Sequence, residues 1–254
     1  MDNVIHTIDA SNVDRYGFFC YKSKPKTIGY RQKREWLENT LSDGLKLKII
    51  YEGNRSAGFI EYVPGEYTWR AVQAGSYLVI HCMWVVGSGK GKGYGSRLLD
   101  LVVSEAENLA LHGVVVVSSS STWLARKGFF LQRGFQVVDQ APPSFELLVK
   151  RFDQGPLPRF PTDWDSRLRR LPNGLVVYHS GQCPYHAMFV SSLARAAAEI
   201  GLAFQTVELK SSWEARTLSP SAYGVFSVVY NGELLSYRPM GGKTLHQMLE
   251  KTDG

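Results

Sequence analysis

An apolar run from Ser76 to Val86 passes through Gly87-Ser88-Gly89-Lys90-Gly91-Lys92-Gly93-Tyr94-Gly95-Ser96 into a stretch with helical spacing. A strand that turns straight into a helix through glycines leaves backbone N–H groups unpaired at the positive end of the helix, and such a place attracts anions. Glycines let the chain wrap within hydrogen-bond reach of phosphate oxygens, and Lys90 and Lys92 add charge to that attraction. The ligand indicated is phosphorylated. Two nucleotide-binding patterns fail: neither lysine is followed by Ser or Thr as the Walker spacing demands, and no choice of first glycine gives G-x-G-x-x-G. The plainer alternative is a flexible turn that happens to be rich in glycine and lysine. A second chemical position is Gly181-Gln182-Cys183-Pro184-Tyr185-His186, between an apolar run and a helical stretch, where a helix terminus lowers the pKa of a thiol.

These positions need elements to hold them. Val4 to Ile8 reads as a strand, Arg31 to Leu41 as a helix, and Leu45 to Glu52 with Ala57 to Val63 as a hairpin about Gly53-Asn54. Ser76 to Val86 is a buried central strand and Gly93 to Leu111 a helix stopped at His112-Gly113. Val114 to Val117 is a further strand, Thr122 to Arg133 a helix, and Phe135 to Val138 with Phe145 to Arg151 a closing pair around Pro142-Pro143. Four prolines, Pro156, Pro158, Pro161 and Pro172, lie between Asp153 and Asn173 and suit a linker. The expected division is therefore 1–152, a linker over 153–173, and 174–254. The last part restarts as strand, helix (Pro184 to Ile200), strand, a polar stretch, two strands (Val225 to Tyr230 and Leu234 to Tyr237) and a terminal helix (Lys243 to Lys251).

Composition narrows the classes. The chain has 254 residues, of which 44% are hydrophobic and 20% charged, enough for two folded domains. Cys20, Cys82 and Cys183 are odd in number and far apart, against a disulfide framework and against a zinc site built from paired cysteines. No metal is expected. The formal charge of +6 is spread over several segments without a nucleic-acid-reading motif, so no nucleic-acid partner is expected. No apolar run is long enough for a membrane span and the first residues lack the layout of a signal peptide, so the expected location is the cytoplasm.

Lys90-Gly91-Lys92-Gly93-Tyr94-Gly95, followed by Ser96-Arg97-Leu98-Leu99, resembles the CoA-binding motif of GNAT acetyltransferases, [RQ]-x-x-G-x-[GA], with Lys90 in the usual Arg or Gln place. The order of elements up to Arg151 is similar to that family too, including Gly128-Phe129-Phe130-Leu131-Gln132-Arg133-Gly134-Phe135 against its Y-x-x-x-G-F ending. The resemblance implies a mixed α/β (α+β) sheet flanked by helices. It also implies acetyl-CoA as co-substrate, its pyrophosphate on Lys90, Gly91, Lys92, Gly93, Tyr94, Gly95 and Ser96, and its pantetheine arm on backbone groups of Val85 and Val86. The implied reaction is direct attack on the thioester by a small amine or a peptide amino group. The family's tyrosine, which protonates the departing thiolate, falls on Phe130, which has no hydroxyl. Another group acts as the acid, or water does, or the domain binds CoA without catalysis.

Such a transfer needs a base for the ammonium and donors for an oxyanion. An N–H near Val85 or Val86 suits the oxyanion. Simple alternation along the central strand puts Tyr77, Val79, His81 and Met83 on one face and Leu78, Ile80, Cys82 and Trp84 on the other. His81 is the first candidate base, since an imidazole titrates at about 6.5; its alternative is a hydrogen-bonded core histidine. Glu61 on the neighbouring hairpin and Glu66 come next, with a solvated or paired carboxylate as the alternative. Cys82 reads as a packed small hydrophobe, and Arg70 either pairs a substrate carboxylate or is an ordinary surface arginine.

The turn at Cys183 resembles the redox turn of glutaredoxins and thioredoxins, with His186 in place of the second cysteine. One thiol excludes an internal disulfide and leaves at most a mixed disulfide. No proline precedes Val225, where that fold carries a cis-proline. The expected second part is thus a smaller thioredoxin-like α/β domain, used for support or for a redox thiol at Cys183. The whole layout looks like bacterial GNAT proteins with a YoaP-type C-terminal domain.

Overall fold

Seven short runs of alternating or wholly apolar residues pair into one mixed sheet. A computed structural model of the chain describes residues 3–120 and 123–252. In chain order the first elements are β1 (Asn3–Ile8), α1 (Val13–Tyr16), α2 (Ile28–Leu41), β2 (Lys46–Glu52), β3 (Arg55–Pro64) and β4 (Tyr77–Val85). They are followed by α3 (Tyr94–Asn108), β5 (Gly113–Ser119), α4 (Lys127–Leu131), β6 (Gln136–Ala141) and β7 (Phe145–Arg151). The sheet runs β1-β2-β3-β4-β5-β7-β6. All neighbours are antiparallel except β4 and β5, which helix α3 connects in parallel.

The core of this unit lies under α3. Its apolar stripe, Leu98, Leu99, Val102 and Ala106, is at most 1% exposed and packs on Ile60, Tyr62, Leu78 and Ile80 of the sheet. Fully burying each of those leucines contributes about 2 kcal/mol. A polar clasp ties α3 to strands β2 and β3: Tyr62 donates to Glu105 at 2.5 Å, and Lys46 lies 2.5 Å from the same carboxylate.

The chain divides into two compact units, one comprising Met1–Ser23, Leu37–Thr68 and Val72–Phe160, the other Lys24–Trp36, Trp69–Ala71 and Pro161–Gly254. The second unit contains α5 (Trp164–Arg169), β8 (Leu175–His179), α6 (His186–Glu199), β9 (Phe204–Glu208), α7 (Ser212–Thr217), β10 (Phe226–Tyr230), β11 (Glu233–Ser236) and α8 (Gly242–Thr252). Its own sheet runs β11-β10-β8-β9, with β8 and β9 parallel and the other pairs antiparallel. A mixed sheet flanked by helices and a second, smaller sheet make up the α/β architecture.

Several local expectations need correction. Segments 24–36 and 69–71 group with 161–254 in the second unit. The expected linker holds α5, whose Arg167 is 8% exposed and donates to the carbonyls of Arg216 and Ser219 at 2.9 and 2.8 Å. The polar stretch after Leu209 holds α7, capped by Ser211 accepting from the Glu214 amide at 3.2 Å. The helix expected from Thr122 to Arg133 shrinks to α4; Thr122 itself lies outside the described residues. Among the described residues no helix is long and apolar enough to cross a membrane.

Candidate active site

β4 leaves the sheet into a 3-10 turn over Gly87–Gly89 and reaches α3 through Gly91 and Gly93, whose φ values are +79° and +76°. A side chain at either position would meet nothing within 4 Å, so it is the left-handed backbone that calls for glycine there. Gly95 is different, since a Cβ would stand 3.3 Å from the Phe129 ring. The amides of Lys90 and Lys92 are spent inside the turn, on the carbonyls of Gly87 and Gly89. Among the described residues, the amides of Gly91, Gly93, Tyr94, Gly95 and Ser96 find no backbone acceptor, and Gly93 caps α3 without a side-chain bond. That set of donors at a helix terminus fits a diphosphate. Lys92 is held by Glu52 at 2.5 Å, which lowers the carboxyl's pKa and raises that of the ammonium.

The strand before this loop is only half paired. β4 bonds β5 from Tyr77–Gly113 to Ile80–Val116 and no further, although it continues to Val85 and β5 to Ser119. Among the described residues, only β3 pairs with it past Ile80. Val86 has its N–H on Ala57 O and its carbonyl on the Gly89 amide. It is therefore not the unpaired donor that the sequence suggested. Successive residues of an antiparallel ladder direct their peptide groups to opposite sides, so Val85 and Met83 turn theirs to the unpaired edge.

A bulge sits at the start of that edge. Glu61 pairs with Cys82 and Tyr62 with Ile80, which leaves His81 as an extra residue on β4. The bulge reverses the alternation expected downstream. Met83 joins Leu78 and Ile80 in the core under α3, whereas Cys82 and Trp84 share the other face with Glu61 and Phe59. The sequence assigned Met83 to the face of His81 and Trp84 to that of Ile80; one inserted residue overturns both.

His81 and Glu61 come together, with Nδ1 of the ring 3.7 Å from Glu61 Oε1 and both residues at most 2% exposed. That distance suits Coulomb attraction and is too long for a hydrogen bond. Nε2 of His81 is 3.1 Å from the Thr68 hydroxyl, a partner that the sequence reading missed because Thr68 precedes the strand by a loop. Glu66 instead accepts from the Ser76 amide at 2.7 Å and fixes the turn into β4. Arg70 is not on the surface: it is 2% exposed, donates to Tyr223 O at 2.7 Å and lies over the Tyr223 ring. Phe130 is fully buried in the core between Phe129 and Phe135, which accounts for a ring without a hydroxyl at that place.

In the second unit Cys183 is a half-buried thiol one turn before His186. The His186 ring is 1% exposed, its Nδ1 donates to Ser180 O at 3.0 Å, and burial lowers its pKa to about 3. Nδ1 therefore carries the proton and the ring is neutral. The first turn of α2 lies directly on this segment, since a Cβ on Gly29 would be 2.0 Å from Pro184 O. A separate cavity of about 1030 Å³, lined by Ser119, Lys127, Gly128, Leu131, Ala141 and Phe145, contains none of the residues expected from sequence to bind the cofactor or act as base. Among the described residues no three His, Cys, Asp or Glu side chains are grouped to hold a metal.

Residues 14–135 match the family model described as Acetyltransferase (GNAT) family. The chain is 28% identical over 248 residues to the Bacillus subtilis (strain 168) protein named Uncharacterized N-acetyltransferase YoaP, covering 95% of this chain and 96% of that protein. Among solved structures, a coenzyme A complex of the PaiA N-acetyltransferase of Thermoplasma acidophilum aligns at 14% identity and a TM-score of 0.45, over 60% of this chain and 100% of that one. A GNAT acetyltransferase of Staphylococcus aureus Mu50 aligns at 14% identity and a TM-score of 0.44, with the same coverage. The glycine turn with its unpaired amides and the half-paired strand both fall inside the segment matched by the GNAT family model, and the chain is an N-acetyltransferase that uses acetyl-CoA as acyl donor.

Proposed function

We propose that the chain acetylates a small amine or a peptide amino group by direct attack on the acetyl-CoA thioester. The observation that carries this reading is the continuity of the unpaired β4 edge with the unpaired amides of Gly91 and Gly93–Ser96. The amides and Lys90 would hold the pyrophosphate, and the peptide groups of Met83 and Val85 the pantetheine arm. The Glu61–His81 pair lies where that edge begins. A carboxylate at Coulomb distance from an imidazole balances the charge the ring gains when it takes up a proton, which suits a site that must take a proton from an ammonium. Thr68, on Nε2 of His81, positions the ring. The thiolate of CoA leaves with a pKa near that of a free thiol, about 8.5, and takes its proton from water, since Phe130 offers none.

For 174–254 we propose a thioredoxin-like domain in a supporting role. The order β8, α6, β9, β10, β11, α8 suits that fold, with Gly224 at φ +81° before β10 where such folds carry a proline. The cover of α2 on the Cys183–Pro184 turn argues against an exchanging redox thiol there. Three thiols and a CoA substrate suit the cytoplasm.

The test is release of free CoA from acetyl-CoA across a panel of amines, together with calorimetric titration of acetyl-CoA and CoA into the full chain. Turnover of at least one amine with micromolar donor affinity is expected. Donor binding without turnover on any amine would make the protein a CoA-binding sensor instead.

A further inference from the structure

Trp84 is the penultimate residue of β4, and 51% of it is exposed, although the strand is otherwise largely buried. It stands opposite Phe59 on β3, and the Phe59 ring in turn lies 4.7 Å from that of Phe19. Phe19 is the centre of a γ-turn, in which the Cys20 amide donates to Phe18 O at 3.0 Å, and its φ is +75°. Tyr21, at φ +58°, is a second aromatic residue in left-handed backbone two positions on. Bulky residues in that region cost about 1–3 kcal/mol each, and such strain gathers at ligand sites. The three rings form an aromatic stripe on the face that also carries Glu61 and Cys82, beside the unpaired edge of β4.

We propose that this stripe sets acceptor specificity and that the acceptor is an amine joined to an aromatic ring by a two- or three-atom spacer, the ring lying on Trp84. The proposal rests on the reading of the β4 edge as the thioester site. Cys82 and Trp84 are two strand positions apart, about 7 Å. A nitrogen delivered beside Glu61 and Cys82 therefore puts a ring on such a spacer over the indole. A half-exposed tryptophan next to a reacting edge offers an offset-stacking surface. The rival occupant of Trp84 is the donor itself, because Lys90 of the phosphate loop lies 5.8 Å over the same ring. Phe59, 4% exposed, and Phe19 back the stripe as packing, so Trp84 is its open part, and the acetyl-CoA arm of the titration separates the two occupants.

The experiment titrates 2-phenylethylamine and n-butylamine into the CoA-saturated full chain by calorimetry, with wild type, Trp84→Ala and Trp84→Phe, and acetyl-CoA into each of the three. Wild type should bind the aromatic amine about tenfold more tightly than the aliphatic one, Trp84→Phe should keep most of that ratio, and Trp84→Ala should bring it close to one. Acetyl-CoA affinity should move by less than about twofold in both variants. No aromatic preference in wild type, a preference that survives Trp84→Ala, or a loss of acetyl-CoA affinity matching the loss of amine affinity would each overturn the proposal. Binding preference without CoA release would leave the specificity assignment standing and remove the transferase reading.

Discussion

The Glu61 carboxylate stands 3.7 Å from Nδ1 of His81, the residue that the Tyr62–Ile80 register would put opposite it, even though the bulge gives the ladder position of Glu61 to Cys82. In an unbulged β4 the residue opposite Glu61 would be fixed by register alone, and every residue beyond it would change face. Replacing either member by an uncharged amide keeps the shape and removes the proton acceptor. His81→Gln and Glu61→Gln should each lower kcat/KM for the amine by about a hundredfold, with acetyl-CoA affinity unchanged. The double variant should lose little more than either single one, because groups that act as a unit are not additive. Initial rates of CoA release at several pH values check this; a loss below about threefold in both single variants removes the pair from the proton transfer.

Donor binding should depend on backbone more than on lysine charge. In Gly93→Ala the new methyl group meets no neighbour, yet φ is +76°, so the cap must distort or store about 1–2 kcal/mol. Acetyl-CoA affinity should fall about tenfold, and the urea midpoint should fall only slightly. Lys92 is already neutralised by Glu52, so Lys92→Ala should weaken the donor by no more than about fivefold, and the effect should fade in high salt. Calorimetry at two salt concentrations separates the two cases; a larger loss from Lys92→Ala than from Gly93→Ala would mean that charge, not amide geometry, holds the pyrophosphate.

Much of the first sheet was readable because its signals are local. Glycines at Gly91 and Gly93 announce a turn, and the spacing of Leu98, Leu99 and Val102 gives both the helix and its buried face. The bulge was not readable, because an inserted residue changes no composition or spacing and shows only in the partner strand. The helix over Trp164–Arg169 was hidden by the prolines that flank it, which punctuate a short helix as easily as they prevent one. Ser211 and Glu214 do carry a sequence signal, the Ser-x-x-Glu start of a helix. Arg70 acquires its role from a partner far along the chain, Tyr223, and no window on the sequence brings the two together; Thr68 reaches His81 across a loop whose path the sequence does not specify.

The clasp between α3 and strands β2 and β3 should contribute to stability independently of activity. Burial, then the Glu105 carboxylate, holds the Tyr62 phenol far above its ordinary pKa, so it remains a donor throughout the working range. Tyr62→Phe removes the donor and leaves Glu105 with Lys46 at 2.5 Å. The acceptor is thus not stranded, and the cost should be about 1–2 kcal/mol in urea denaturation. A change under about 0.3 kcal/mol would mean that the ion pair with Lys46 carries the clasp alone.

The second unit should weaken in acid through His186. The folded ring is neutral and buried, with its pKa lowered to about 3 from an ordinary 6.5, so the unfolded chain binds the extra proton first as pH falls. The contribution is complete above about pH 6.5, declines below it, and is gone by about pH 3. Between about pH 6 and pH 4.5 the loss should be about 2 kcal/mol, and it should be absent in His186→Phe, whose ring keeps the packing on Phe226 but cannot titrate. Hydrogen exchange of the Val176–Tyr178 amides of β8 reads the stability of this unit by itself, apart from carboxylates that titrate in the first. Equal acid sensitivity of those amides in wild type and variant would show that the imidazole can be protonated without leaving its site.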